Sequence, residues 1–260
     1  MTENNIWLVD RSRYEAGFRC QRLRFLNYHA GPEGKGYAPR EGKIPLLRGI
    51  YVHEGLAEIC KVLKAGDEVD DTVVRMAASY AVTQYKKDIK SRGSMEGVLE
   101  EHFAFTVSEQ AHLIESLIWA WAKVMLPIFK DELEVVTVEQ EEYFDVTDGS
   151  SGPIVRVMSR PDIICRAKTG IYKGQLGNHD FKTKESRINE WWINQWRDAP
   201  QMAIGTLATE RRLGEPVSHY YLHGLVIGGR DHFSRAGESS PQERQYSTLC
   251  YARIYTPNPP

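Results

Sequence analysis

Two carboxylates and a lysine stand in the stretch from Arg160 to Thr183, which reads R-P-D-I-I-C-R-A-K-T-G-I-Y-K-G-Q-L-G-N-H-D-F-K-T. Asp162 heads a short apolar run, and Asp180 and Lys182 follow a turn-rich insert. Strand side chains alternate faces, so in a strand H-D-F-K-T, Asp180 and Lys182 share one face and Phe181 points to the core. Ile163, Ile164 and Cys165 suit a buried strand after Asp162. The glycines between Lys168 and Asn178 mark a turn that folds the two strands together and brings Asp162 near Asp180. Hard divalent cations such as Mg²⁺ take carboxylate oxygens, water and phosphate as ligands. Bound metal acidifies its water and offsets charge on a phosphodiester, and a nearby ammonium stabilises the same charge. The residue set therefore predicts metal-dependent phosphodiester hydrolysis.

The D-x-K spacing by itself is common and ordinarily marks a solvated strand edge or a surface ion pair. Three further groups add weight. In L-L-R-G-I-Y-V-H-E-G-L-A-E-I-C, Leu46 to Cys60, helical spacing puts His53 on one stripe with Leu56, Ala57 and Cys60. Gly49 suits a helix start at close approach, and His53 is either a metal ligand or a satisfied core histidine. In V-T-V-E-Q-E-E-Y-F, strand alternation puts Glu139 and Glu141 on one face, lining a site or a charged edge. In D-A-P-Q-M-A-I-G, Asp198 has the look of a helix N-cap and Gln201 closes a capping-box spacing, so Gln201 either caps the helix or faces the site.

The elements that must position these groups follow from periodicity. Helices are predicted over Arg11–His29, Tyr51–Ala65, Val69–Lys90 and Ser108–Glu132, the last with Thr106 and Glu109 as a capping box. Strands are predicted over Glu134–Phe144, Ile154–Arg166 and Gly177–Thr183. A helix pair over Asn189–Arg212 precedes strands at Ser218–Ile227 and Ser247–Tyr255, and 228–245 reads as a loop. Gly31–Pro45 reads as a long loop, a candidate DNA-contacting flap. Of the tryptophans, Trp192 and Trp196 fall at packing spacing, which leaves Trp191 as the candidate for base stacking.

The order of these motifs, G-x-x-x-H on a helix, a strand glutamate, P-D, D-F-K-T, then a helix led by glutamine, resembles the RecB-like branch of the PD-(D/E)XK nuclease superfamily, which includes phage exonucleases. The resemblance spans about Arg11 to Ile227. It implies an α/β fold with a restriction-endonuclease-like core, a central mixed sheet flanked by helices, and an N-terminal helical region. The chain would be one nuclease domain: a mainly helical part over 1–133, the catalytic sheet over 134–227, and a terminal loop and strand over 228–260. The resemblance makes His53, Asp162, Asp180 and the Phe181 carbonyl ligands of Mg²⁺ or Mn²⁺, Lys182 the catalytic lysine, and Gln201 the glutamine of a Q-x-x-x-Y motif. Either Glu139 or Glu141 stands at the family's glutamate. The tyrosine position of that motif is Gly205 here.

Several such nucleases hold an iron–sulfur cluster on four cysteines. Cys20 has a suitable place, but Cys60, Cys165 and Cys250 do not cluster, so ordinary thiols and no cluster are expected. The activity implied is a metal-dependent deoxyribonuclease, an exonuclease in recombination, repair or phage replication leaving 5′-phosphates, with a recombinase, helicase or single-strand-binding protein as partner and homo-oligomers open. The rival expectations are a non-catalytic DNA-end-binding or assembly module and a restriction-type endonuclease.

At 260 residues and a net charge of −2, the chain lacks the basic footprint of a sequence-specific DNA binder. Positive charge is local: Arg11, Arg13, Arg19, Arg22 and Arg24, then Lys35, Arg40, Lys43 and Arg48. Of these, Arg19, Arg22 and Arg48 are the DNA-binding candidates. The start M-T-E-N-N-I-W has no basic head or apolar stretch, and the apolar run Leu113–Phe129 carries Glu115 and Lys123 and is short for a bilayer. Scattered cysteines suit a reducing compartment, so a cytoplasmic protein without membrane contact is expected.

Overall fold

The computed structural model describes residues 7–31, 36–37, 44–91, 100–147, 149, 153–184, 188–197, 199–227, 229–230, 247–248 and 251–255. Its elements, in chain order, are β1 (Trp7–Asp10), α1 (Arg11–Arg19), α2 (Gln21–Tyr28), α3 (Ile44–Ala65), α4 (Asp71–Ser91), α5 (Glu100–Val124), α6 (Leu126–Glu132), β2 (Leu133–Val138), β3 (Glu142–Thr147), β4 (Pro153–Ser159), β5 (Ile163–Ala167), β6 (Leu176–Lys184), α7 (Glu190–Arg197), α8 (Pro200–Leu213), β7 (Val217–Val226), β8 (Gly229–Arg230), β9 (Ser247–Thr248) and β10 (Tyr251–Tyr255).

The expected α/β class holds, but the strands form two mixed sheets of substantial size, not one. The larger runs in the order β10-β7-β6-β5-β2, the smaller β1-β4-β3, and β8 and β9 pair separately. Both long predicted strands break where the sheets part. Glu134–Phe144 divides at Glu139, whose backbone is left-handed at φ 49°. Ile154–Arg166 divides at Arg160–Pro161–Asp162, where Pro161 has no N–H to give a ladder. The halves before and after each break therefore pair with different partners: β2 with β5, and β3 with β4.

β6 and β7 run parallel, joined through α7 and α8 in a βαβ crossover, and β5 is antiparallel to β6 with Ile163 opposite His179. The turn between β5 and β6 carries Gly170 and Gly174 at positive φ, as the glycine spacing predicts. Gly177 serves differently: the His219 imidazole lies across it so closely that a methyl group there would overlap the ring.

Helices α3, α4 and α5 pack together, and α3 and α5 cover one side of the large sheet. Val52, Leu56, Ile59 and Cys60 of α3 join Ile114, Leu117, Ile118 and Trp121 of α5 and Phe129 of α6 in one core. Trp121 meets Phe129 and Phe181 edge-on, with both centroid separations 5.6 Å, and such pairs add about 1 kcal/mol each beyond area burial. Helix α8 lies against β7 on one side and β3 and β4 on the other, tying the two sheets.

Several helix boundaries differ from expectation. The single helix predicted over Arg11–His29 is two, parted at Cys20 by an extended backbone. Helix α3 starts at Ile44, so Pro45 lies in its first turn, where a missing N–H is harmless. Gly49 is thus inside the helix; its close approach is real, since a Cβ would sit 3.2 Å from Thr183 Oγ1. Helix α5 runs from Glu100, so Thr106 and Glu109 lie within it and not at its start. It bends by 46° into α6 near Met125, with Pro127 at the second position of the new helix. Among the described residues, no single helix is long and apolar enough to cross a membrane. Within the loop predicted over 228–245, Gly229 and Arg230 form strand β8, paired with β9. The rest of that stretch, most of the candidate flap, and Lys35, Arg40, Lys43 and Cys250 lie outside the described residues.

Candidate functional site

The β5–β6 pairing sets Asp162 beside Asp180. The Asp162 amide lies 3.4 Å from Asp180 Oδ1, and the Phe181 amide donates to Asp162 Oδ2 at 2.6 Å. Alternation along β6 does the rest: Phe181 is buried among Trp121, His53 and His223, while Lys182 Nζ lies 3.0 Å from Asp180 Oδ2. Gln201, in the first turn of α8, donates from Nε2 to the same Asp180 oxygen. Helix α8 takes Ala199 as its N-cap without a side-chain cap bond. Gln201 therefore serves the site and not a capping box, and Asp198 lies outside the described residues.

His53 reaches the site from α3, one turn beyond Gly49, with Nδ1 3.2 Å from Asp162 Oδ2. Glu139 completes a cluster: one ligand atom each from His53, Glu139 and Asp162 lies within 4.8 Å of the others. The left-handed backbone at Glu139, whose amide donates to the Asp162 carbonyl at 2.9 Å, turns its side chain in. A non-glycine residue there carries strain of about 1 to 2 kcal/mol. The shared face expected for Glu139 and Glu141 does not form, because β2 ends at Val138. Glu141 is exposed and accepts from the Tyr143 hydroxyl at 2.5 Å.

The electrostatics fit a cation. Burial, then the neighbouring Asp162, push the Glu139 carboxyl up to about 7 against the opposing pull of Arg160 and His53. Burial also works against Asp162, but His53, Lys182 and the Phe181 N–H hold it down at about 2. Arg160 Nε lies 3.1 Å from Glu139 and is the nearby group that partly neutralises it. Two crowded carboxylates and an imidazole nitrogen, only partly countered by side-chain cations, form a donor set that a divalent ion satisfies.

Two supports have no local sequence signal. First, Lys182 Nζ sits 5.3 Å over the Trp196 ring and Lys184 Nζ 5.7 Å over Trp192. The two indoles meet edge-on at 5.8 Å. Helix α7 begins with Asn189 accepting from the Trp192 amide at 2.9 Å, so a capped aromatic helix braces both lysines. Trp192 packs as expected and Trp191 is exposed. Second, buried Glu142 of β3 pairs with Arg212 at 2.7 Å, and Thr209 Oγ1 lies 2.9 Å from Glu142 and 3.1 Å from the Asn178 side-chain amide. One hydroxyl proton serves one acceptor, so the Thr209 hydroxyl is shared between Glu142 Oε2 and Asn178 Oδ1, and the Arg212 pairing secures the buried Glu142. This network fixes α8, and with it Gln201, against β6.

Arg48 does not belong to a nucleic-acid surface: it is buried and donates to Gln110 at 2.7 Å. Arg19 and Arg22 are exposed. Cys60 and Cys165 are buried in the core with thiols pushed well up by burial, and Cys20 is exposed. The Q-x-x-x-Y tyrosine position, Gly205, faces Asn178, Tyr220 and Ser159, so the Tyr220 ring occupies neighbouring space.

No model of a known protein family matches the chain, and no curated protein matches it significantly.

Proposed function

We propose that the chain is a Mg²⁺- or Mn²⁺-dependent deoxyribonuclease of the PD-(D/E)XK type, acting as an exonuclease. The observation that carries the reading is the convergence, from α3, the β2 end, β5, β6 and α8, of three metal-capable groups with an Asp–Lys–Gln triad. His53, Glu139 and Asp162 would hold the ion, with Asp180 and the Phe181 carbonyl beside them. An imidazole among carboxylates favours Mn²⁺ over Mg²⁺. When bound, the ion supplies Lewis acidity to a phosphodiester and an activated water. Lys182, held by Asp180 and the Trp196 ring, would supply the cation that negative charge on phosphorus oxygens needs. Gln201 and Trp196 keep the two ends of that Asp180–Lys182 pair in place.

The test is degradation of linear and closed circular DNA with Mn²⁺, Mg²⁺ or EDTA. Loss of linear DNA only, abolished by EDTA and reduced about 10²- to 10⁴-fold in Lys182→Ala and Asp180→Ala, is the expected result. Cutting of circular DNA at one sequence selects a restriction-type endonuclease. Folded protein that cuts nothing selects a binding module.

A further inference from the structure

The hairpin of α1 and α2 is built unlike the rest of the molecule. Helix α2 has no buried residue. Phe18 is 85% exposed and Phe25 56%, with Leu23 and Tyr14 more than two-fifths exposed. Tyr14 stacks on Phe18 at 6.1 Å, so the apolar surface is ordered rather than scattered. Between Arg11 and Tyr28 five arginines face one acid, Glu15, in a chain of net charge −2. Arg13 is spent inside the hairpin: it bonds the Leu8 carbonyl at 3.0 Å and lies 5.5 Å over the Tyr28 ring. Arg19 and Arg22 are exposed, and neither is drawn into an ion pair with a described residue. Helix α1 packs on α8, the helix whose first turn presents Gln201 to Asp180.

We propose that this hairpin is a docking surface for single-stranded nucleic acid, and that it delivers a strand toward the metal cluster. The inference rests on the nuclease reading for its direction but not for its binding chemistry. Exposed aromatic rings offer stacking to unpaired bases, which a duplex keeps inside, and stacking tolerates any sequence. The exposed guanidiniums of Arg19 and Arg22, in the same hairpin as the rings, can pair with phosphates and lie flat against bases. A protein partner would be served by the apolar groups but not by an unbalanced positive charge. Charge and aromaticity together fit a polyanion with exposed π faces.

The test measures fluorescence anisotropy of a labelled oligothymidine of about 20 nucleotides and of a blunt duplex, in EDTA so that nothing is cut, across a KCl series. Phe18→Ala/Phe25→Ala weakens oligothymidine binding on the order of tenfold and leaves duplex binding unchanged. Arg19→Ala/Arg22→Ala lowers the log–log salt slope by about 1.4, near 0.7 for each of the two lost phosphate contacts. Phe18→Tyr keeps wild-type affinity. All four positions are exposed, so circular dichroism is expected to be unchanged in every variant. Binding by both double variants equal to wild type overturns the proposal, as does a wild-type dimer that these substitutions dissociate. Oligothymidine bound through the hairpin by a protein that never cleaves leaves this inference standing and removes the nuclease reading. Cleavage with hairpin variants binding like wild type does the reverse.

Discussion

Strand β6 carries ionisable residues on both faces, and the two faces do opposite things with them. On one, His179 sits against His223 of β7, with the ring nitrogens 3.1 Å apart, under Trp121 and Phe129. Trp121 can only donate, and its Nε1 lies 3.3 Å from His223 Nδ1. His223 therefore keeps its proton on Nε2 and passes the bond to His179 Nδ1. Burial pushes His223 down to about 3 and His219 to about 4, and it holds His179, beside both, well below its ordinary value. On the other face, Asp180 and Lys182 are charged groups held by each other, by Gln201 and by the π face of Trp196. Aromatic walls make the first face a neutral lock; amide, ammonium and carboxylate partners make the second a charged site. Residue type alone does not separate these roles, because both faces are buried along most of the strand.

The largest effect on stability is expected at His223. His223→Ala removes a fully buried ring and the acceptor for Trp121, costing about 3 kcal/mol in urea unfolding. Mn²⁺ affinity stays as in wild type. Loss of metal affinity in that variant, with the fold intact, would show the two faces to be one unit. His223→Gln keeps an acceptor and a donor and recovers part of the loss.

Acid sharpens the contrast. His219 and His223 have depressed folded-state values, so the unfolded chain binds more protons below about pH 6.5 and their stabilisation is lost as pH falls. From about pH 7.5 to about pH 5 each removes on the order of 2 kcal/mol. Glu139, raised to about 7, acts with the opposite sign: its contribution is present at low pH and lost as pH rises from 4.5 toward 7. His219→Gln and His223→Gln therefore each flatten the fall in stability toward acid, and Glu139→Gln steepens it. Parallel urea titrations at the two pH values decide this; a Glu139→Gln curve flatter than wild type would refute the assignment.

How far the sequence foretells this molecule depends on the range of the interaction. Asp162, Asp180 and Lys182 are readable because alternation and one turn set them. His53 is readable only as one of two options, ligand or core histidine, because it shares a helical stripe with Leu56 and Cys60. Gln201 is readable as one of two options, which Asp180 decides. Glu139 against Glu141 is not readable: the strand alternation that pairs them stops at Val138, where a left-handed residue reverses the pattern. Arg48 sits in a basic stretch yet faces Gln110 across 62 residues, and Glu142 meets Arg212 across 70. The division of the strands between two sheets depends on β1, which joins β4 in parallel from the other end of the chain. Local periodicity carries no term for any of these.

On the charged face Trp196 braces Lys182, and its effect is expected to be smaller. A cation–π contact of this kind contributes about 1 kcal/mol, so Trp196→Leu lowers the cleavage rate about fivefold while Trp196→Phe stays within about twofold. Metal affinity is unchanged in both. A Trp196→Leu protein that cleaves DNA as fast as wild type would reduce α7 to a cover over the sheet and leave Asp180 as the lysine's positioning partner.

The smallest effect tests where strain is stored. The histidine face is unstrained, whereas the site face depends on Glu139 at φ 49° with a carboxyl crowded by Asp162. Asparagine tolerates the left-handed region and carries no charge. Glu139→Asn is therefore expected to stabilise the metal-free protein by a few tenths to about 1 kcal/mol in urea unfolding at pH 8, while weakening Mn²⁺ binding measured by calorimetry. At that pH the wild-type carboxylate is ionised, so the comparison includes relief of both strain and repulsion. Glu139→Gln removes the charge and keeps the strain, and it should recover only the electrostatic part. Equal stability in Gln and Asn variants would assign the gain to charge; a gain confined to Asn would assign it to the backbone. A destabilised Asn variant would mean that the Arg160 pairing outweighs both, and that the bend at Glu139 belongs to the fold before it belongs to the site.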